Sequence, residues 1–119
     1  MTNLASSAPH IHNASQYDEL VDWGVQPDSC AGASHSSGRL LHKGPNNQPE
    51  VGLWVCTPGR WRLRIPRDEF CHFVAGRAVY RSETGEEITV VAGTAVLFPA
   101  GWEGVCEVQE TIRNLYMLA

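Results

Sequence analysis

Residues 68–73 read DEFCHF, which places a carboxylate, a thiol and an imidazole (Glu69, Cys71 and His72) within four positions. These are common donors to a transition metal and common partners in acid–base or nucleophilic chemistry. Spacing decides whether they act together. In an extended chain successive side chains point to opposite faces. Glu69 and Cys71 then share a face with Phe73, while His72 falls on the other with Phe70 and Val74. One glutamate and one cysteine are too few donors for zinc, which takes three or four protein ligands. Cys71 is a poor nucleophile in this setting, because a neighbouring carboxylate raises a thiol's pKa where activation needs a cation. Glu69 is the weak catalytic candidate, an acid or base if its site is buried.

The cations nearest in sequence lie in RWRLRI, residues 60–65. Arg62 and Arg64 share one face, and Trp61, Leu63 and Ile65 the other. Turned inward, the two arginines face Glu69 and can grip a carboxylate, phosphate or ureide group. Turned outward, they leave Trp61, Leu63 and Ile65 to fill the core, which avoids burying two guanidinium groups. Pro66 interrupts the run, so the phase of residue 69 does not carry back to residue 64, and both phases stay open. Phe98, Trp102 and Tyr116, with Trp54 and Tyr80, are large enough to line a cavity or to fill a core or dimer interface. The candidate pocket is therefore Arg62, Arg64, Glu69, Cys71, Phe98, Trp102 and Tyr116. His10 and His12 have a metal-like spacing but lie in the tail, and His35 and His42 have no visible route to either.

The elements that must position these residues are strands. From residue 37 onward, short apolar-rich runs recur every 8 to 12 residues: GRLLHK, EVGLWVCT, RWRLRI, DEFCHFVA, RAVYRS, EEITVV, TAVLF, GVCEVQ and TIRNLYML. Turn-forming segments such as GPNNQP, TPG, ETG and PAGWEG separate them. This is the pattern of an antiparallel sandwich or barrel, not of alternating strands and helices. Upstream, SQYDELVDWG predicts a short helix, with Ser15 as its cap and Gly24 at its end. Residues 25–36 are turn-rich and are expected to wrap the surface. Residues 1–14 are expected to be a flexible tail, and residues 15–119 one domain whose barrel spans about 37–118.

Composition narrows the functions. The 119 residues suit a single core, and a charged share of 18% is too low for a disordered chain. Formal net charge is -4 with no basic block, so nucleic acid and acidic membrane surfaces are not expected partners. No apolar run is long enough for a secretion leader or a membrane span, and a cytoplasmic location is expected. In that setting the four cysteines stay reduced thiols.

Two segments carry a family likeness: GLWVCTPGRWRLRIPRDEFCHFVAGRAVY and VVAGTAVLFPAGWEGVCEVQETIRNLYML. They resemble the cupin superfamily, and more closely the small single-domain cupins grouped with (S)-ureidoglycine aminohydrolase-like proteins, many of unknown function. The resemblance implies an all-β, single-domain cupin barrel, a double-stranded β-helix or jelly roll, that is usually a homodimer. It also implies a metal site, and here this chain departs from the pattern. Glu69 and Gly76 match the first motif, but its paired histidines are replaced by Arg62 and Arg64 in one frame, or by Leu63 and Ile65 in the other. Gly93, Pro99 and Gly101 match the second motif, but Gly104 stands at its histidine. One carboxylate cannot hold a transition metal tightly, so no metal and no other cofactor is expected. The expected function is binding of a small polar or anionic metabolite within the barrel. The alternatives are an enzyme on ureide-like, nitrogen-rich metabolites with Glu69 as acid or base, and a structural or regulatory dimer with a filled barrel.

Overall fold

The computed structural model describes residues 7–119, so the first six residues of the expected tail lie outside the described residues. Nine strands follow in order: β1 (Val21–Val25), β2 (Ser29–Ala31), β3 (His35–Lys43), β4 (Glu50–Cys56), β5 (Gly59–Arg64), β6 (Glu69–Ser82), β7 (Glu87–Val90), β8 (Ala95–Phe98) and β9 (Glu103–Leu118). All pairings are antiparallel. One hydrogen-bonded path runs β1-β3-β4-β9-β5-β2, and β6 joins it through β9 while also holding β7 and β8. The sheet is curled, as a jelly roll requires, and the only helical turn among the described residues is the 3-10 segment Pro45–Asn47.

Two strands organise the curl. β9 pairs along its second half with β4 and along its first half with β5. β6 lies beside nearly all of β9, and meets β8 near Glu69 and β7 near Tyr80. Each of these long strands was expected as two short runs. Both are in fact continuous, and the register shifts between Phe73 and Ala78 let β6 bend without breaking. Gly76 sits inside that irregular stretch with φ of 89°.

The predicted helix over SQYDELVDWG is corrected. Residues 14–16 form a turn, and Val21–Val25 is strand β1 on the edge beside β3. Val21, Trp23 and Val25 favour extended backbone. Gly24, expected to end a helix, instead sits at the β1 bulge with φ of 91°. The turn-rich residues 25–36 also contain a short strand, β2, which pairs with β5. Residues ahead of β1 cross the outer surface, where Arg113 donates to the carbonyl oxygens of Ala14 and Tyr17. Val55 is cross-strand partner to Arg113 on that outward face, and it is buried.

The core lies inside the curl. Trp61, Ile65, Cys71, Phe73, Tyr80, Val90, Phe98, Cys106 and Ile112 are all buried there. A large aromatic side chain removes about 150–250 Å² from water, so Trp61, Tyr80 and Phe98 dominate the burial that closes the barrel. Tyr80 packs on Phe98 with ring centroids 5.0 Å apart, and Trp102 lies edge-on to Phe98 at 5.0 Å.

Candidate functional site

Register brings the site together from distant parts of the chain. Glu69 of β6 pairs with Phe98 of β8 on one side and Leu118 of β9 on the other. Cys71 pairs with Tyr116, which in turn pairs with Gly52 of β4. Phe73 pairs with Asn114, which pairs with Trp54. These rows put Glu69, Cys71, Trp54 and Asn114 on the concave face, while His72 points out and is exposed. The strand-alternation reading of residues 69–74 therefore holds.

The concave face forms a half-open cavity of about 240 Å³. Taking about 30 Å³ for each water, it is worth roughly eight waters. Its walls are mostly aromatic and aliphatic: Trp54, Trp61, Leu63, Ile65, Tyr80 and Phe98. The polar groups in the lining are few: Glu69, Cys71, Gln26 and, at the edge, Arg64. A small number of placed polar groups in an apolar wall is the usual composition of a small-molecule site.

Burial dominates the electrostatics. It pushes the Glu69 carboxyl above the ordinary range, and the nearby Glu50 carboxylate adds to the rise. The Cys71 thiol donates to Glu69 Oε2 at 3.4 Å, and this partly offsets the effect. Cys71 is raised well beyond the usual thiol range by its own burial and by Glu69, so it is a hydrogen-bond donor and not a thiolate. Cys56, close by, is pushed up to about 11, chiefly by burial. Asn114 is almost wholly buried, and its Oδ1 has no partner.

The candidate residues separate into three groups. Glu69, Cys71 and Phe98 meet in the cavity wall, with Arg64 at its edge. Trp102 packs behind Phe98 and donates to Glu86 Oε1 at 3.2 Å. The Tyr116 hydroxyl donates to Glu50 Oε2 at 2.8 Å, and Glu50 lies 3.9 Å from Arg67. These two aromatics therefore buttress the wall. The two arginines part company: Arg64 borders the cavity, and only Arg62, expected beside it, needs a correction. Arg62 is exposed and faces a different, outer groove with Cys30, Arg60 and Arg81. Arg64 is exposed at the rim, where its Nε donates to Glu103 Oε1 at 3.1 Å. Trp61 and Ile65 take the buried positions instead, the cheaper arrangement because burying two guanidinium groups without partners costs more than exposing them.

This phase also decides whether the cup suits a metal. With Leu63 and Ile65 inward, the positions that resemble the missing histidines carry hydrocarbon. Leu63 pairs directly with Gly104, the position of the other missing histidine. A Cβ on Gly104 would run into the carbonyl oxygen of Arg81, so the backbone leaves no room there for a ligand side chain. Among the described residues no three His, Cys, Asp or Glu side chains converge. The donor set does not fit a transition metal.

Sequence reasoning missed Gln26. It comes from the stretch expected only to wrap the surface, and a glutamine after a short edge strand carries no periodic signal. It reaches the cavity because its backbone N–H donates to the Ser34 carbonyl at 2.8 Å, which holds it against the start of β3.

A family model described as the EutQ-like cupin domain matches residues 43–116. Among solved structures, a DUF861-family protein of unknown function from Pseudomonas syringae pv. tomato is similar, with a TM-score of 0.76 at 18% identity, covering 84% of this chain and 44% of that one. The chain thus spans less than half the length of that protein. The EutQ protein of Clostridium difficile gives 0.62 at 14% identity, covering 71% and 68%. A putative ethanolamine utilization protein from Salmonella typhimurium gives 0.60 at 18% identity, covering 73% and 69%. At such identities these likenesses show the fold alone. No curated protein matches.

Proposed function

The chain belongs to the EutQ-like cupin domain family, and we propose that its cup binds a small, polar, N–H-bearing molecule, with Glu69 as the polar anchor and no metal ion. The observation that carries this reading is a single carboxyl group set in an aromatic cavity of about 240 Å³. A carboxylate offers only acceptors, so its natural guest is an amide, ureide or amine N–H. Cationic guests gain further from Trp54, Trp61, Tyr80 and Phe98 around them. The polar half of the expected ligand class is favoured over the anionic half, because Arg62 is turned away, Arg64 stands at the exposed rim, and the buried polar anchor is the Glu69 carboxyl.

The test is a ligand-observed NMR panel of urea, acetamide, short alkylammonium ions and acetate against wild type and Glu69→Gln. Binding of the N–H-bearing members, weakened at least tenfold by Glu69→Gln, is the expected result. Acetate binding as well as they do, or equal affinity in the two proteins, sinks the reading.

A further inference from the structure

We infer that Gln26 forms a second polar pole of the cavity, a fixed amide donor that selects guests carrying a carbonyl oxygen in addition to the N–H group held by Glu69. The inference rests on the ligand reading above and adds the chemistry of the opposite end of the guest.

The orientation of Gln26 follows from counting protons. Trp54 Nε1–H can only donate, and it lies 3.1 Å from Ser36 Oγ. The Ser36 hydroxyl therefore accepts from Trp54, and its one proton must go elsewhere. Ser36 is 6% exposed, so water offers no ready outlet. Two acceptors lie near that proton, the Cys56 sulfur and Gln26 Oε1, and the amide oxygen at 2.8 Å is the stronger and takes it. The chain Trp54 to Ser36 to Gln26 thus has one consistent direction, and it commits the Gln26 carbonyl to Ser36. The Gln26 NH₂ group makes no hydrogen bond to any described residue, while Gln26 itself lines the cavity. Its two N–H donors are the free end presented to a guest.

The backbone around this relay is built to hold it. Gln26 is tied to Ser34 through the backbone, and Ser34 Oγ is buried without a partner. Gly59, with φ of 153°, passes so close to Ser34 that a Cβ there would strike the serine hydroxyl. Trp54 is itself a cavity wall, so the relay starts and ends on the lining. A guest that met only Glu69 would leave the Gln26 donors unpaired as it displaced water, and losing such a buried partner is costly. A carbonyl oxygen satisfies a neutral donor pair in a cavity whose one cation among the described lining residues, Arg64, sits at the rim beside Glu103.

The test compares two series of equal length: ω-amino amides (glycinamide, β-alaninamide, 4-aminobutanamide) and the matching alkylammonium ions, which lack the carbonyl. Affinities are read by NMR titration for wild type, Gln26→Met, Ser36→Ala and Glu69→Gln. In wild type at least one amino amide is expected to bind ten times or more tighter than its alkylammonium partner. Gln26→Met should erase that ratio, and Ser36→Ala should erase most of it. Glu69→Gln should weaken both series and keep the ratio. Equal affinity of the two series in wild type, or a ratio surviving Gln26→Met, overturns the Gln26 pole while leaving the Glu69 reading standing. Failure of both series to bind wild type overturns both.

Discussion

At the scale of the residue, Glu69 is held by its surroundings in a state that disfavours charge. Its carboxyl is raised by burial and by Glu50, so the folded chain keeps this proton at a pH where the unfolded chain has lost it. Stability then falls as pH rises from the ordinary glutamate value of about 4.3 through the raised value, and the penalty is complete above it. Glu69→Gln has no such proton to lose. Denaturant unfolding over this window should show the variant gaining on wild type as pH rises, with the difference level at higher pH. A constant difference across the window would mean that Glu69 titrates like an exposed glutamate. The face shared by Glu69 and Cys71, and the turning away of His72, were legible in DEFCHF because strand alternation is a local rule. The phase of Arg62 and Arg64 was not, because Pro66 cuts the run and only the cost of burying guanidinium groups decides it.

At the scale of the element, the long strands β6 and β9 make the cup, and their continuity depends on a few tolerant positions. Gly76 is the clearest. Its φ of 89° is in the left-handed region, and a Cβ would press on the Thr111 carbonyl and the Ile112 Cα of β9. Alanine carries a cost of roughly 1–2 kcal/mol for the conformation alone. The obstruction is backbone, which cannot swing aside. Gly76→Ala should therefore lower unfolding free energy by at least about 2 kcal/mol in urea, with little effect on the spectrum of the folded form. A loss below about 0.5 kcal/mol would show that β6 bends elsewhere. The strands themselves were legible as short apolar runs recurring every eight to twelve residues, but not their fusion. AVY and the residues before Gly76 read as separate runs because a glycine inside a strand looks like a stop. The helix predicted near Ser15 failed for the opposite reason. A cap-like serine and a terminal glycine resemble a helix in isolation, whereas pairing of Val21, Asp22, Gly24 and Val25 with β3 supplies the hydrogen bonds.

At the scale of the whole molecule, the cupin fold shapes a cup with an interior made mainly of hydrocarbon. Hydrocarbon from Leu63 and Ile65 and the bare backbone of Gly104 stand where ligands would be needed. One carboxyl group and one glutamine amide are left to meet a guest. That Leu63, Ile65 and Gly104 stand at the motif positions was readable from the sequence, because spacing alone identifies them. Gln26 was not, because it is brought to the cavity by pairing between β1 and β3 across a segment with no motif. The central claim is that Glu69 sits in the cup with a raised pKa and meets the guest directly. Carbon-13 NMR of the glutamate side-chain carboxyls, titrated with and without saturating 4-aminobutanamide, addresses it most directly. The expected result is one carboxyl, lost in Glu69→Gln, that titrates above the others and moves to lower pKa when the guest binds. A Glu69 carboxyl that titrates with the exposed glutamates, or that is indifferent to the guest, would contradict it.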